Sequence, residues 1–306
     1  VEETSAHDVV GQFTDRLTMV RIHQAPSVGQ HVRRAGEDVQ VGETVLHAGT
    51  FLGAAQIGLL AAVGRERVRV RPRPRVVIIA TGSELVEVGE ELQPGQLHDS
   101  NSYMLTAAAR EAGAIAYRVG IVSDDPSVLL SRIEDQLIRA DLVVTSGGVS
   151  AGAYDTVKAV LSKLGTVDFM KVAMQPGMPQ GFGTVGPDAT PIVTLPGNPV
   201  SAFVSFEVFV RPVLRRMLGA DQLHRPLVRA RVTQPLLKLR PGRRKFLRAQ
   251  LSVEDGSYVV TPIGGQGSHL VADLALSNAL IVIPEDVEEV VEGSGVAVML
   301  LERRAG

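Results

Sequence analysis

The stretch "ADLVVTSGGVSAGAYD", residues 140–155, decides the fold class. Its apolar run 141–146 has strand length and reads as a buried strand. The run ends in a side-chain-poor loop carrying Gly147, Gly148 and Gly152 with Ser146 and Ser150, and Asp155 then opens a segment of helical period, 155–165. The same alternation extends in both directions. "RVVIIA" (75–80), "IAYRVGIV" (115–122) and "DFMKVAM" (168–174) read as strands, and "GFGTV" with "PIVTLPG" as a hairpin. Segments 100–113, 125–140 and 198–218 read as helices, the first capped by Ser100 or Asn101 and stopped by Gly113, the second capped by Asp125 with Pro126 in its first turn. Strands alternating with helices over 75–220 predict a three-layer α/β/α domain with a mostly parallel sheet.

The flanks differ. Residues 1–45 read as short strands and turns, a partial β-rich region, and 46–74 as a packed helix (51–63) followed by an extended connector with Arg-Pro breaks. Residues 225–306 carry alternating runs such as "LVRARV", "FLRAQLSV", "SYVVTPI" and "NALIVIP", which predict a small β domain. The whole is a multidomain α/β chain.

Composition excludes several functions. With 306 residues, 45% hydrophobic content and a net charge of −2, nothing attracts the chain as a whole to nucleic acid or to a membrane. The most apolar stretch, 51–64, falls short of the roughly 20 residues that a membrane span requires. Cysteine is absent, which removes disulfides, thiolate metal sites and a cysteine nucleophile, and suits a cytoplasmic protein. The run 225–248 holds nine basic and no acidic residues, but only Phe246 interrupts it with an aromatic ring; arginines on a strand surface are the simpler reading, and no nucleic-acid partner is expected. His269 has no neighbouring histidine or cysteine to make a metal site.

In open parallel sheets, ligands bind beyond the carboxyl ends of the strands. Three such ends deliver acids: "TGSEL" (81–85) brings Glu84, "SDDP" (123–126) brings Asp124 and Asp125, and the opening loop brings Asp155. Asp125 fits a helix cap. Glu84 and Asp155, each beside a glycine-containing turn, fit function. The loop 146–152 can be a tight turn or, because glycine has no Cβ to obstruct approach, a cradle for an oxyanion. "LPGNPVSA" (195–202) leads through Pro196, Gly197, Asn198 and Pro199 into a helix N-terminus, a second place suited to an anion. Carboxylates crowding an anion site repel the ligand, and a hard divalent cation such as Mg²⁺ resolves the conflict through oxygen ligands and substrate phosphates. Ser268, in a Gly-Ser-His turn, is a further polar contact at the ligand edge.

The set "TGSEL", "DSN", "DDP", "SGGVSAGAYD", "PGMPQGFG", "LPGNPVSA" and "GSH", in this order, resembles the molybdopterin molybdenumtransferases, the MoeA family that includes the E domains of gephyrin-like proteins. The resemblance runs over roughly residues 10–301. "SGGVS" and "LPGNPVSA" each occur also in the related MogA-type adenylyltransferases, which resemble the 75–220 domain standing alone; "RRAGEDV" (33–39) and the β domain after residue 225 favour MoeA.

The resemblance implies insertion of molybdate into adenylylated molybdopterin with release of AMP, assisted by Mg²⁺. It implies catalytic roles for Asp155, Glu84, Asp124, Lys171 and Asp38, with Glu84 and Asp155 at the metal. Asp38 would be presented to a partner subunit's site, which implies a homodimer, and contact with other molybdenum-cofactor biosynthesis proteins is also implied. The anionic pterin would meet Thr81, Gly82, Ser83, Ser146, Gly147, Gly148, Ser150, Gly152, Pro196, Gly197, Asn198, Pro199, Ser201 and Ser268. A MogA-like adenylyltransferase, consuming ATP, and a gephyrin-like peptide-binding scaffold are the alternatives. Two departures stand out: Gln175 and Met178 occupy positions where many members carry lysine, and the family's Asp-Gly-Tyr-Ala and Thr-Gly-Ala-Pro motifs, expected ahead of residue 1, have no counterpart.

Overall fold

The computed structural model describes residues 23–123, 125–147 and 154–301. It divides into two compact units, Val1–Arg67 and Val68–Gly306.

In the first unit, residues 23–50 form turns and bends; the strands expected before residue 45 do not occur among the described residues. The reason is local. Gly29, Gly36 and Gly42 all take positive φ, and turn hydrogen bonds such as Gln30 N to Ser27 O (3.0 Å) and Glu37 N to Arg34 O (3.2 Å) recur too often for an extended run. Helix α1 (Ala54–Ala62) forms where periodicity places it, but it buries none of its residues, so the expected packing of this helix is not seen. No described helix is long and apolar enough to cross a membrane.

In the second unit the chain runs β1 (Arg75–Thr81), β2 (Leu85–Val86), β3 (Leu97–His98), α2 (Asn101–Glu111), β4 (Ile115–Val122), α3 (Pro126–Leu137), β5 (Leu142–Ser146), α4 (Tyr154–Leu164), β6 (Gly165–Lys171), β7 (Met174–Gln175), β8 (Pro179–Val185) and β9 (Thr190–Leu195). It continues through α5 (Pro199–Ser205), a π-helical segment (Phe206–Val210) and α6 (Arg211–Met217). The first sheet has the order β4-β1-β5-β9-β8-β6. The pairs β1–β4, β1–β5 and β5–β9 are parallel, whereas β8 runs antiparallel to both β9 and β6.

Strand β1 shows why both sheet faces are covered. Val76 and Ile78 join Leu105 of α2, Phe206 and Val210 of the π-helical segment and Leu214 of α6 in one core. Val77 and Ile79 join Leu129 and Ile133 of α3 and Val157 and Leu161 of α4 in a second. A strand with two buried faces must be apolar at every position, and β1 is buried from Val76 to Thr81.

The strand expected at 168–174 is displaced. Strand β6 begins at Gly165 and ends at Lys171, and Met174–Gln175 pairs instead with Arg244–Lys245 of the other sheet. A turn in which Val172 N donates to Met178 O at 2.8 Å breaks the run. The helix expected at 198–218 is continuous but widens at its centre. Pro212 has no N–H to give, and Arg211 N reaches back to Phe206 O, the wider spacing of a π-bulge.

After this helix come β10 (Leu227–Val232), β11 (Arg244–Glu254), β12 (Ser257–Pro262), α7 (Val271–Ala275), β13 (Ala279–Ile283) and β14 (Gly295–Leu300). Their order is β12-β10-β14-β13-β11-β7, and β12 also pairs with β11, which closes five strands into a barrel. Strand β14 was not anticipated from the sequence. The barrel encloses Val232, Ala249, Val260, Ile281 and Val298. Its outer face packs Phe246, Leu274 and Leu280 against Val200 and Val204 of α5.

Candidate functional site

The carboxyl ends of β1, β5 and β9 are adjacent in the sheet, with Ala80 opposite Ser146 and Ser146 opposite Leu195. Backbone contact fuses them. Thr81 Oγ1 donates to Ser146 O at 3.5 Å, and Gly147 N donates to Leu195 O at 3.1 Å. Gly147 has φ +102°, and a Cβ there would collide with the Thr81 carbonyl. Only glycine allows the two strand ends to lie so close.

Beyond β1, the short β2–β3 ladder holds the segment carrying Glu84. Leu97 N donates to Glu84 O at 2.8 Å. The Glu84 carboxylate folds back over Gly82, where an added Cβ would lie 2.8 Å from both oxygens, and it is exposed. Glu84 forms no side-chain ion pair among the described residues. Next to it, Arg118 Nη1 bonds Glu87 at 3.0 Å while its guanidinium lies 4.2 Å from the Tyr103 ring centroid and 3.8 Å from the buried Asp99 carboxylate. The Arg118 hydrogen bond holds the Glu87 carboxyl below the usual range. Asp99 in turn accepts from Ser102 N at 3.0 Å and from the Ser102 hydroxyl, so it, rather than Ser100, satisfies the first turn of α2.

At β9 the chain turns through Pro196–Gly197–Asn198 into α5, whose first residue is Pro199. Asn198 Nδ2 donates to Ser268 Oγ at 2.9 Å, and Val200 N donates to Ser268 O at 3.0 Å. Ser268 thus ties the β-barrel to the sheet edge. Its loop is held from beneath by Arg248, which donates to the carbonyls of Gly265, Gly267 (3.0 Å) and Leu270 (2.9 Å) and is almost fully buried. Burial pushes the Arg248 pKa down, partly countered by Asp273. Alongside lies a cavity of about 280 Å³ walled by Gln175, Pro176, Val200, Arg248, Gln266 and Gly267.

The sheet edge therefore gathers Thr81, Ser146, Gly147, Pro196, Gly197, Asn198 and Ser268. Gly82, Ser83 and Glu84 follow directly on β1. Ser201 is buried in the first turn of α5, and Lys171 is exposed at the end of β6. Asp38 is exposed within the first unit. Asp124, Gly148, Ser150 and Gly152 lie outside the described residues, as does the side chain of Asp155; its backbone is the second residue of α4. Asp125 is a helix cap, accepting from Ser127 N (2.9 Å) and Val128 N (3.1 Å). Among the described residues no group of three or more histidines and acids could hold a metal ion.

Two residues at this edge were not singled out from the sequence. Arg248 read as one of many arginines on a strand, and Asn101 as a helix cap. Neither type nor spacing distinguishes them, because their partners lie far along the chain.

Glycine-permitted backbone contacts, hydroxyls and a helix start at one sheet edge, bridged to a barrel, define an α/β protein with a candidate ligand edge at the carboxyl ends of its parallel strands. Family models agree with this class. "MoeA N-terminal region (domain I and II)" matches residues 1–64, "Probable molybdopterin binding domain" matches 77–216, and "MoeA C-terminal region (domain IV)" matches 229–301. The chain is 48% identical over 290 residues to molybdopterin molybdenumtransferase 1 of Mycobacterium tuberculosis, covering 93% of this chain and 68% of that protein. It is 48% identical over 281 residues to molybdopterin molybdenumtransferase 2 of the same organism, covering 90% and 68%. The solved molybdopterin biosynthesis MoeA protein of Pyrococcus horikosii superposes with a TM-score of 0.72 at 34% identity, over 84% of this chain and 61% of that one. The chain belongs to the molybdopterin molybdenumtransferase (MoeA) family.

Proposed function

We propose that this chain inserts molybdate into adenylylated molybdopterin and releases AMP. The observation that carries the reading is that the three MoeA family regions match in order along a chain 48% identical to curated molybdenumtransferases. The junction of β1, β5, β9 and Ser268 supplies a fitting place for the anionic pterin. Thr81, Ser146, Gly147, Pro196, Gly197, Asn198, Pro199, Ser201 and Ser268 line or shape it, and Gly82, Ser83, Gly148, Ser150 and Gly152 are proposed pterin contacts. In this reading the MogA-like domain spans 75–220 and the barrel domain 225–306. They follow a partial N-terminal domain (1–45) and a connector (46–74), and the protein works as a cytoplasmic homodimer.

Glu84 and Asp155 are the proposed Mg²⁺ ligands. The fit rests on Glu84: an exposed carboxylate at the strand edge, with no ion-pair partner among the described residues, suits a cation that takes one or two carboxylates plus substrate oxygens. When bound, the ion would neutralise charge between carboxylates and anionic substrate. In this reading the chain's own residues bind and orient the anion at the sheet edge, while Lys171, Asp124 and a partner subunit's Asp38 complete the site.

The test is AMP release from adenylylated molybdopterin with Mg²⁺, with and without molybdate, beside Asp155→Ala. Release that requires both molybdate and Asp155 supports the reading. A folded, pterin-binding protein that releases no AMP on adding molybdate overturns it.

A further inference from the structure

Three strand ends meet at the candidate site, and one side chain bonds across two of them. Asn101, the first residue of α2, is buried, and its Nδ2 donates to Ser146 Oγ at 2.8 Å and to Gly197 O at 2.6 Å. Ser146 Oγ passes the contact on, donating to Pro196 O at 3.3 Å. The amide orientation follows from the partners: Gly197 offers only a carbonyl, which must face the NH₂ group. Among the described residues, the buried Asn101 Oδ1 has no hydrogen-bond partner. A buried, unmatched oxygen is destabilising, so stability alone does not account for burying this amide. From Gly197 the contacts continue through Asn198 to Ser268 of the barrel.

We infer that Asn101 is a positioning residue that sets the spacing between the ends of β5 and β9, and hence between the two loops that the proposed reaction uses. The inference rests on the molybdate-insertion reading for its catalytic consequence, but not for its structural one. Asparagine is required in this role because two acceptors must be met by one short, neutral double donor. Aspartate has the same size and opposes the Gly197 carbonyl with a second acceptor. Protonated aspartate regains one O–H donor, and burial beside a carbonyl raises the pH at which it protonates.

The test uses the full chain and Asn101→Asp, beside Asn101→Ala. At pH 8, Asn101→Asp should lose about 10²-fold in kcat for molybdate-dependent AMP release, the scale of a displaced reacting group, with a much smaller change in KM. As pH falls to 5.5, its rate relative to wild type at the same pH should recover, while that of Asn101→Ala should not. Hydrogen exchange at pH 8 should quicken in peptides covering 145–147 and 195–200, with 227–232 unchanged. A wild-type kcat in Asn101→Asp at pH 8, or a parallel pH profile for the two variants, overturns the inference. If the wild type itself releases no AMP, the functional reading fails, and exchange decides alone: unchanged protection of 195–200 in Asn101→Asp overturns the positioning role.

Discussion

Gly147 shows how one residue can decide a site. Its positive φ and the nearby Thr81 carbonyl leave no room for a side chain, so the strand ends touch only because nothing stands between them. Gly147→Ala should destabilise the chain by at least about 1–3 kcal/mol, from the left-handed backbone alone, before the collision is counted. Urea unfolding checks this; an unchanged midpoint would mean that the junction relaxes freely. The glycine was legible in the sequence as part of a loop, but its partner was not, because Thr81 lies 66 residues away along the chain. The same holds for Asn101 and Arg248, whose roles come from carbonyls that no local pattern names.

Among the elements, the β2–β3 ladder carries Glu84, and the Glu87–Arg118 pair fastens it to β4. Gly120, at φ +87° beside the register shift between β1 and β4, leaves space for the Glu87 carboxylate; a Cβ there would lie 2.9 Å from it. Because the folded-state pKa of Glu87 is depressed, the pair's contribution is present above the ordinary glutamate range and fades as pH falls through the depressed value. Both side chains are partly exposed, 35% and 27%, so the contribution stays below about 1 kcal/mol. Glu87→Gln should therefore leave global stability nearly unchanged at pH 7. It should quicken hydrogen exchange over 84–99 and flatten the acid dependence of that exchange between pH 5 and the depressed pKa. Equal acid dependence in both proteins would remove the pair from any role in holding this element. The sequence did not anticipate this ladder, since two-residue strands leave no periodicity to read.

At the scale of the second unit, Arg225 connects the sheet domain to the barrel. It donates to Glu207 in the π-helical segment (2.8 and 3.0 Å) and to Glu111 at the end of α2 (2.7 Å). Glu207 also faces Arg211 at 3.8 Å, so one buried carboxylate serves two buried guanidiniums. Glu207→Ala leaves Arg211 without its partner and Arg225 with Glu111 alone, and should cost about 3–5 kcal/mol, measured by chemical denaturation. A loss under 1 kcal/mol would show that water reaches the cluster. Arg225 read in the sequence as the head of a basic run, and its acidic partners, 18 and 114 residues away, gave no sign there.

The sequence by itself determined the alternation of strands and helices in the central region, the change to a β region after residue 220, and the family. Each rests on local signals: apolar runs of strand length, helical period with capping residues, and contiguous loop motifs. Tertiary structure alone decided that Met174–Gln175 leaves one sheet for the other and that β12 closes a barrel. It also decided that Asn101 bonds Ser146 and Gly197, and that Asn198 bonds Ser268. Those outcomes depend on which distant backbone groups find each other, and pairing energy between remote segments leaves no mark in the order of neighbouring residues.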